Sequence, residues 1–128
     1  MSQRGLEALL HPKSIAVLGA SQQPGRAGHL MSNLLAGGFS GPVLPVTPRY
    51  IAVCGVMAYP DIASLPLPPD LAILCTHAKR NLPLLEALGQ RGCKTAIILS
   101  SSPEQFAELK ACAQRYAMRL LGPNSLGC

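Results

Sequence analysis

Short runs that are apolar at every position, separated by stretches with helical spacing, constrain this chain more than any other feature. Ile15-Ala16-Val17-Leu18 lies in one such run (13–19), Leu71-Ala72-Ile73-Leu74-Cys75 forms a second, and Thr95-Ala96-Ile97-Ile98-Leu99 a third. Val43-Leu44-Pro45-Val46 and Arg119-Leu120-Leu121 are shorter. A strand with one face in water alternates apolar and polar residues, and these runs have no polar face. They fit a parallel sheet covered on both sides by helices. Pro45 cannot donate to a ladder, so the second strand is expected to be irregular or poorly paired there.

The spacers supply the helices. Leu30, Met31, Leu34 and Leu35 form one stripe, stopped by Gly37-Gly38. Leu84, Leu85 and Leu88 form another, ended by Gly92, with Asn81 placed to cap it and Pro83 tolerated in its first turn. Ser102-Pro103-Glu104-Gln105 reads as an N-cap, a proline at the first helical position and the third-position Gln of a capping box. Phe106, Leu109, Ala113 and Tyr116 then share one face. Leu6, Leu9 and Leu10 predict a short helix before Pro12. The Pro-rich stretch 47–69 is the least regular, with a short edge strand expected at 53–56. Strands alternating with helices of this length give an α/β class: a doubly wound, mainly parallel five-stranded sheet with helices on both faces.

Composition narrows the class further. A chain of 128 residues is the size of one domain, 1–128. With 48% hydrophobic and 13% charged residues it is not a disordered chain. No apolar run approaches the ~18–20 residues that span a bilayer, and Met1-Ser2-Gln3-Arg4-Gly5 lacks a signal-peptide layout. The expectation is a soluble, cytoplasmic protein without a membrane partner. The cysteines at 54, 75, 93, 112 and 128 contain no CxxC pair, which points to reduced thiols rather than a metal or disulfide site. The net charge of +5 calls for an anionic partner, yet the basic residues are scattered and aromatics are few, unlike a nucleic-acid surface. The sequence stops at Gly122-Pro123-Asn124-Ser125-Leu126-Gly127-Cys128, just past a strand, so the chain is expected to be a piece of a larger multidomain protein.

Open α/β sheets bind ligands beyond the carboxyl ends of their strands. After the first strand comes Gly19-Ala20-Ser21-Gln22-Gln23-Pro24-Gly25-Arg26-Ala27-Gly28, which leads into the Leu30–Leu35 helix. Small residues let backbone N–H groups approach a phosphate, and the helix N-terminus adds donors and a positive dipole end. Ser21 adds a hydroxyl and Arg26 a fork of charged donors. The spacing departs from the dinucleotide fingerprint G-x-G-x-x-G, because the first interval is too long. After the second strand, Val46-Thr47-Pro48-Arg49-Tyr50 has no acid for the ribose 2′-hydroxyl of NAD. Arg49 instead suits a ribose phosphate, which leaves NADP and coenzyme A as the ligands to choose between. An NAD(P)-binding domain with a redox or sensor role is therefore the competing reading.

The motifs then take a specific order. Ser14-Ile15-Ala16-Val17-Leu18-Gly19-Ala20-Ser21 with Pro24-Gly25-Arg26 resembles the opening of the CoA-binding, Rossmann-like domain of ADP-forming acyl-CoA synthetases and the succinyl-CoA synthetase alpha subunit. The segments 33–41, 45–48, 55–60, 69–73, 92–94 and 121–127 continue that resemblance across nearly the whole chain. Within the family, Pro42-Val43-Leu44-Pro45-Val46-Thr47-Pro48 is most similar to enterobacterial protein lysine acetyltransferases, in which a synthetase-like region is fused to an acetyltransferase domain.

The resemblance implies CoA or acetyl-CoA as cofactor and no complete active site in this chain. It implies that Gly19, Ser21, Pro24, Gly25, Arg26 and Gly28 hold the CoA pyrophosphate. It places Thr47, Pro48 and Arg49 beside the adenosine and its 3′-phosphate. Thr76, His77, Ser100 and Ser101 fall at later ligand-side turns, and Asn124 near the pantetheine path. His77 is expected to touch ligand rather than catalyse, and His11 and His29 to be structural or solvated. The family's phosphorylated histidine belongs to a later domain.

Overall fold

A computed structural model describes residues 11–20, 25–37 and 39–122. The expected helix at Leu6, Leu9 and Leu10 lies outside them. In chain order the elements are β1 (Ile15–Leu18), α1 (Arg26–Ala36), β2 (Val43–Val46), β3 (Ala52–Val53), β4 (Val56–Met57), β5 (Leu71–Leu74), a 3-10 turn (Ala78–Arg80), α2 (Asn81–Arg91), β6 (Thr95–Ile98), α3 (Pro103–Arg115) and β7 (Arg119–Leu121). The five long strands form one wholly parallel sheet in the order β2-β1-β5-β6-β7. The chain goes from β1 outward to β2, then returns to the other side of β1 for β5, so the winding reverses between β1 and β5.

Every residue of β1, β2, β5 and β6 is buried, because both faces are covered. On one face Ala16, Leu18, Leu74 and Ile98 pack against Leu85 and Leu88 of α2 and Leu109 and Cys112 of α3. On the other, Val17, Ile73 and Ile97 pack with Met31 of α1. Burying one such leucine contributes about 1.5–3 kcal/mol, against about 1 kcal/mol for a helix cap. The apolar stripes, not the caps, therefore fix where the helices lie. Gly92 does end α2 as expected: it adopts φ +87 and its N–H bonds back to Leu88 and Gly89.

Four local expectations need correction. Pro45 does not disturb β2. The carbonyls of Pro42, just before β2, and of Val46 accept from Ile15 and Gly19 of the β1 segment, while the Pro45 carbonyl points to the outer edge and accepts from the Tyr59 N–H at 2.9 Å. Its missing donor thus falls where β1 does not need it. The 53–56 stretch is not an edge strand of the main sheet. It spans a separate antiparallel hairpin, β3–β4, turned at Cys54 and Gly55, both with positive φ (52° and 81°), as a two-residue hairpin turn requires. Asn81 does not cap α2; it is 1% exposed, and its Nδ2 donates to the Ser100 carbonyl at 2.7 Å and to Gln105 Oε1 at 3.3 Å. The capping box on α3 is half formed. Ser102 Oγ accepts from the Gln105 N–H at 3.1 Å, but the Gln105 side chain donates instead to the Ala78 carbonyl at 2.6 Å. One amide cannot reach both ways, and here it ties the β6–α3 turn to the β5–α2 turn.

Candidate functional site

Because β1 pairs in register with both neighbours, Leu18 lies level with Val46 on one side and Leu74 on the other. The three strands therefore end together. A cavity of about 580 Å³ opens at this point. It is lined at the strand ends by Gly19, Thr47, Pro48, Arg49, Thr76 and His77, all of them residues expected at the site.

The close approach of Gly19 to β5 sets the floor. Gly19 has φ +77, and a Cβ built on it would sit 2.8 Å from Thr76 Cγ2 and 3.2 Å from the Cys75 carbonyl. Only glycine allows the β1 exit to cross so near that turn. Beside it, Thr76 Oγ1 is buried without a hydrogen-bond partner in the described structure. A buried hydroxyl left unmatched costs about 1–3 kcal/mol, so a polar atom supplied at this point would be stabilising. Thr47 is 3% exposed, and its Oγ1 accepts from the Arg49 N–H at 3.1 Å, which shapes the turn carrying Arg49. His77 has a structural task as well as a lining one: its Nδ1 accepts from the Lys79 N–H at 3.3 Å and starts the 3-10 turn.

The glycine segment joins the site only in part. Gly25 and Gly28 are not among the described lining residues, though both stand at the start of α1. Gly25 is the N-cap of α1, with φ 142 and ψ −174, a conformation that strains any side chain. Among the described residues no side chain caps α1, and its first turn holds no acidic residue. Arg26 opens α1, and Ser21, Pro24 and Asn124 lie outside the described residues. Ser100 and Ser101 follow β6 and do not line the cavity; the Ser100 carbonyl is taken by Asn81.

The structure adds residues that the sequence did not single out. Asp61, Ile62 and Ala63, and Arg80, Leu84 and Ala87 of the 3-10 turn and α2, also line the cavity. The i, i+4, i+7 spacing of the Arg80 set was visible in the sequence; that 60–63 joins it at one cavity was not. The orphaned hydroxyl of Thr76, the glycine-only approach at Gly19 and the lining guanidinium groups fit a ligand that carries phosphate. Among the described residues there is no cluster of His, Cys, Asp and Glu suited to a metal ion, and no helix is long and apolar enough to cross a membrane.

Comparison with known proteins identifies the group. The family model described as CoA binding domain matches residues 13–128. The chain is 36% identical, over 95% of its length, to an ADP-forming acetate–CoA ligase I of Archaeoglobus fulgidus, of which it covers 19%. It is 37% identical over 95% of its length to the alpha subunit of the Pyrococcus furiosus ADP-forming acetate–CoA ligase I, covering 29% of it. In structure it resembles the dinucleotide-forming acetyl-coenzyme A synthetase 1 of Ca. Korarchaeum cryptofilum, with a TM-score of 0.87 and 34% identity over 93% of this chain and 28% of that one. The chain thus spans between a fifth and three-tenths of the length of these relatives. It belongs to the CoA binding domain family, which bears out the expected fold and the expected cofactor, CoA or acyl-CoA.

Proposed function

We propose that this CoA binding domain holds CoA or an acyl-CoA in the cavity at the ends of β1, β2 and β5, as one module of a larger acyl-CoA synthetase-like protein. One observation carries the placement. The turn after β2 offers Arg49 and no acid, and it borders the same cavity as the glycine-only approach at Gly19. Arg49 then meets the ribose 3′-phosphate, where an NAD site would present a carboxylate. The segment from Gly19 to Gly28 holds the pyrophosphate against the uncapped start of α1, whose N–H groups and dipole favour an anion. Thr76 Oγ1 gains its missing partner from the ligand, and Thr47 keeps the Arg49 turn in shape. The chain itself supplies binding and orientation; the reacting groups come from elsewhere in the parent protein.

The test is a melting curve with ligand. Binding to the native state alone raises the melting temperature by mass action. CoA or acetyl-CoA is expected to raise it more than NADP or NAD at equal concentration. A larger shift with NADP would instead support the redox or sensor reading. For the parent, the 42–48 wording favours a lysine acetyltransferase carrying a synthetase-like region over a synthetase that makes the thioester itself. Full-length protein with acetyl-CoA and a lysine peptide is expected to yield acetyl-lysine; acetyl-CoA formation from acetate, ATP and CoA would favour the synthetase.

A further inference from the structure

The cavity holds a second arginine with no assigned task. Arg80, Leu84 and Ala87 line it from the 3-10 turn and α2, and Ile62 and Ala63 line it from the 60–63 segment. Apolar lining of this kind accommodates a base, with a few polar groups fixing its orientation. Among the described residues, the guanidinium groups of Arg49 and Arg80 have no hydrogen-bond or ion-pair partner. This sets them apart from Arg91, which donates to the Leu65 carbonyl at 2.7 Å, and from Arg115, which pairs with Glu86. Asp61 borders the same space, yet its carboxylate accepts from the Ser64 N–H at 2.9 Å and pairs with neither arginine. The backbone beneath Arg80 is fixed, since its N–H donates to the His77 carbonyl at 2.9 Å.

We infer that Arg80 is the second cation of a phosphomonoester clasp whose first is Arg49, and that the nucleoside end of the ligand lies between α2 and the 60–63 segment. The inference rests on the reading of CoA as ligand and adds a specificity-determining residue to it. A phosphomonoester carries about 1.5 to 2 negative charges at neutral pH, so one guanidinium leaves much of that charge unmatched. A second, arriving from the 3-10 turn before α2 rather than from the β2 turn, completes the match. The ligand class so defined is a nucleotide with a phosphomonoester on its ribose.

The experiment is calorimetric titration of the chain with CoA and with dephospho-CoA, for the parent, Arg80→Ala, Arg80→Lys and Arg80→Ala/Arg49→Ala. Arg80 is exposed, so the fold should survive, and melting curves without ligand check it. Arg80→Ala is expected to weaken CoA about tenfold and dephospho-CoA less than twofold. Arg80→Lys keeps the charge without the fork and should fall between. The double variant should lose less than the product of the single losses, because the two groups share one phosphate. Equal losses for both ligands would place Arg80 on the pyrophosphate, and no loss would leave it a solvated side chain; either overturns the inference. A parent chain that binds no CoA would overturn the proposed function as well, whereas a parent that binds CoA with Arg80→Ala unchanged overturns only this clasp.

Discussion

The two ends of the parallel sheet treat charge in opposite ways. At the amino end, Asp70 stands just before β5 and is fully engaged by the protein. Its carboxylate accepts from the Lys13 N–H at 2.9 Å and pairs with Lys94 at 3.3 Å, and its own N–H donates to the buried Ser14 Oγ at 3.0 Å. Its carbonyl takes the N–H of Thr95. At the carboxyl end, Arg49 and Arg80 line a cavity with no partner among the described residues, and Thr76 Oγ1 is buried and unmatched among them. Asp70 is thus satisfied within the protein, whereas Arg49 and Arg80 have no such partner among the described residues. These two cations beside a cavity, more than the glycine count, set the proposed binding end apart.

The strongest way to break this contrast is at Gly19. Gly19→Ala forces a Cβ to 2.8 Å from Thr76 Cγ2 at a φ of +77. Strain of this kind costs about 1–3 kcal/mol. A melting curve is expected to fall by about 5–15 °C, with CoA binding reduced in the folded fraction. An unchanged melting temperature would mean the β1 exit does not cross the β5 turn so closely. Next in size, Arg49→Ala is expected to weaken CoA about tenfold while leaving dephospho-CoA nearly unchanged, the low end for a charge-assisted contact because the turn is exposed. Loss for both ligands alike would mean that Arg49 acts through general charge.

At the other end the expectation reverses. Asp70→Ala removes the Lys94 pair and the acceptor for the Lys13 N–H, which should cost about 1 kcal/mol of stability by urea unfolding. CoA affinity should stay within twofold, and a larger drop would show that the two ends are coupled. The smallest effect concerns thiols. Cys75 lines the cavity, while Cys112 lies between α2 and α3, where burial pushes its thiol pKa up. With iodoacetamide, CoA should slow labelling of Cys75 and leave the already slow Cys112 unchanged, as read by peptide mass mapping. Protection of both alike would place the ligand elsewhere.

Much of this was legible before the structure. Ile15–Leu18, Leu71–Leu74 and Thr95–Ile98 carry apolar residues at both parities, and that pattern alone required covered, parallel strands. Arg49 was legible because its position after β2 is tied to the topology. What could not be read were relations set by tertiary pairing. The hairpin at 52–57 has strands of two residues each, and its turn places Cys54 in a conformation glycine usually takes. Asn81 and Gln105 both had good local roles, as cap and capping-box partner, and each gave them up for a contact some twenty residues away. Arg80 could be read only as one of an i, i+4, i+7 set; that it shares a cavity with the 60–63 segment and with Arg49 could not.

Arg49 and Arg80, neither with a partner among the described residues, are proposed to select a phosphomonoester on the ribose of CoA. Calorimetric titration of the unaltered chain with CoA, dephospho-CoA and NADP tests it most directly. CoA is expected to bind, dephospho-CoA to bind at least tenfold more weakly, and NADP to bind more weakly than CoA. Equal affinity for CoA and dephospho-CoA, or tighter binding of NADP, would contradict it.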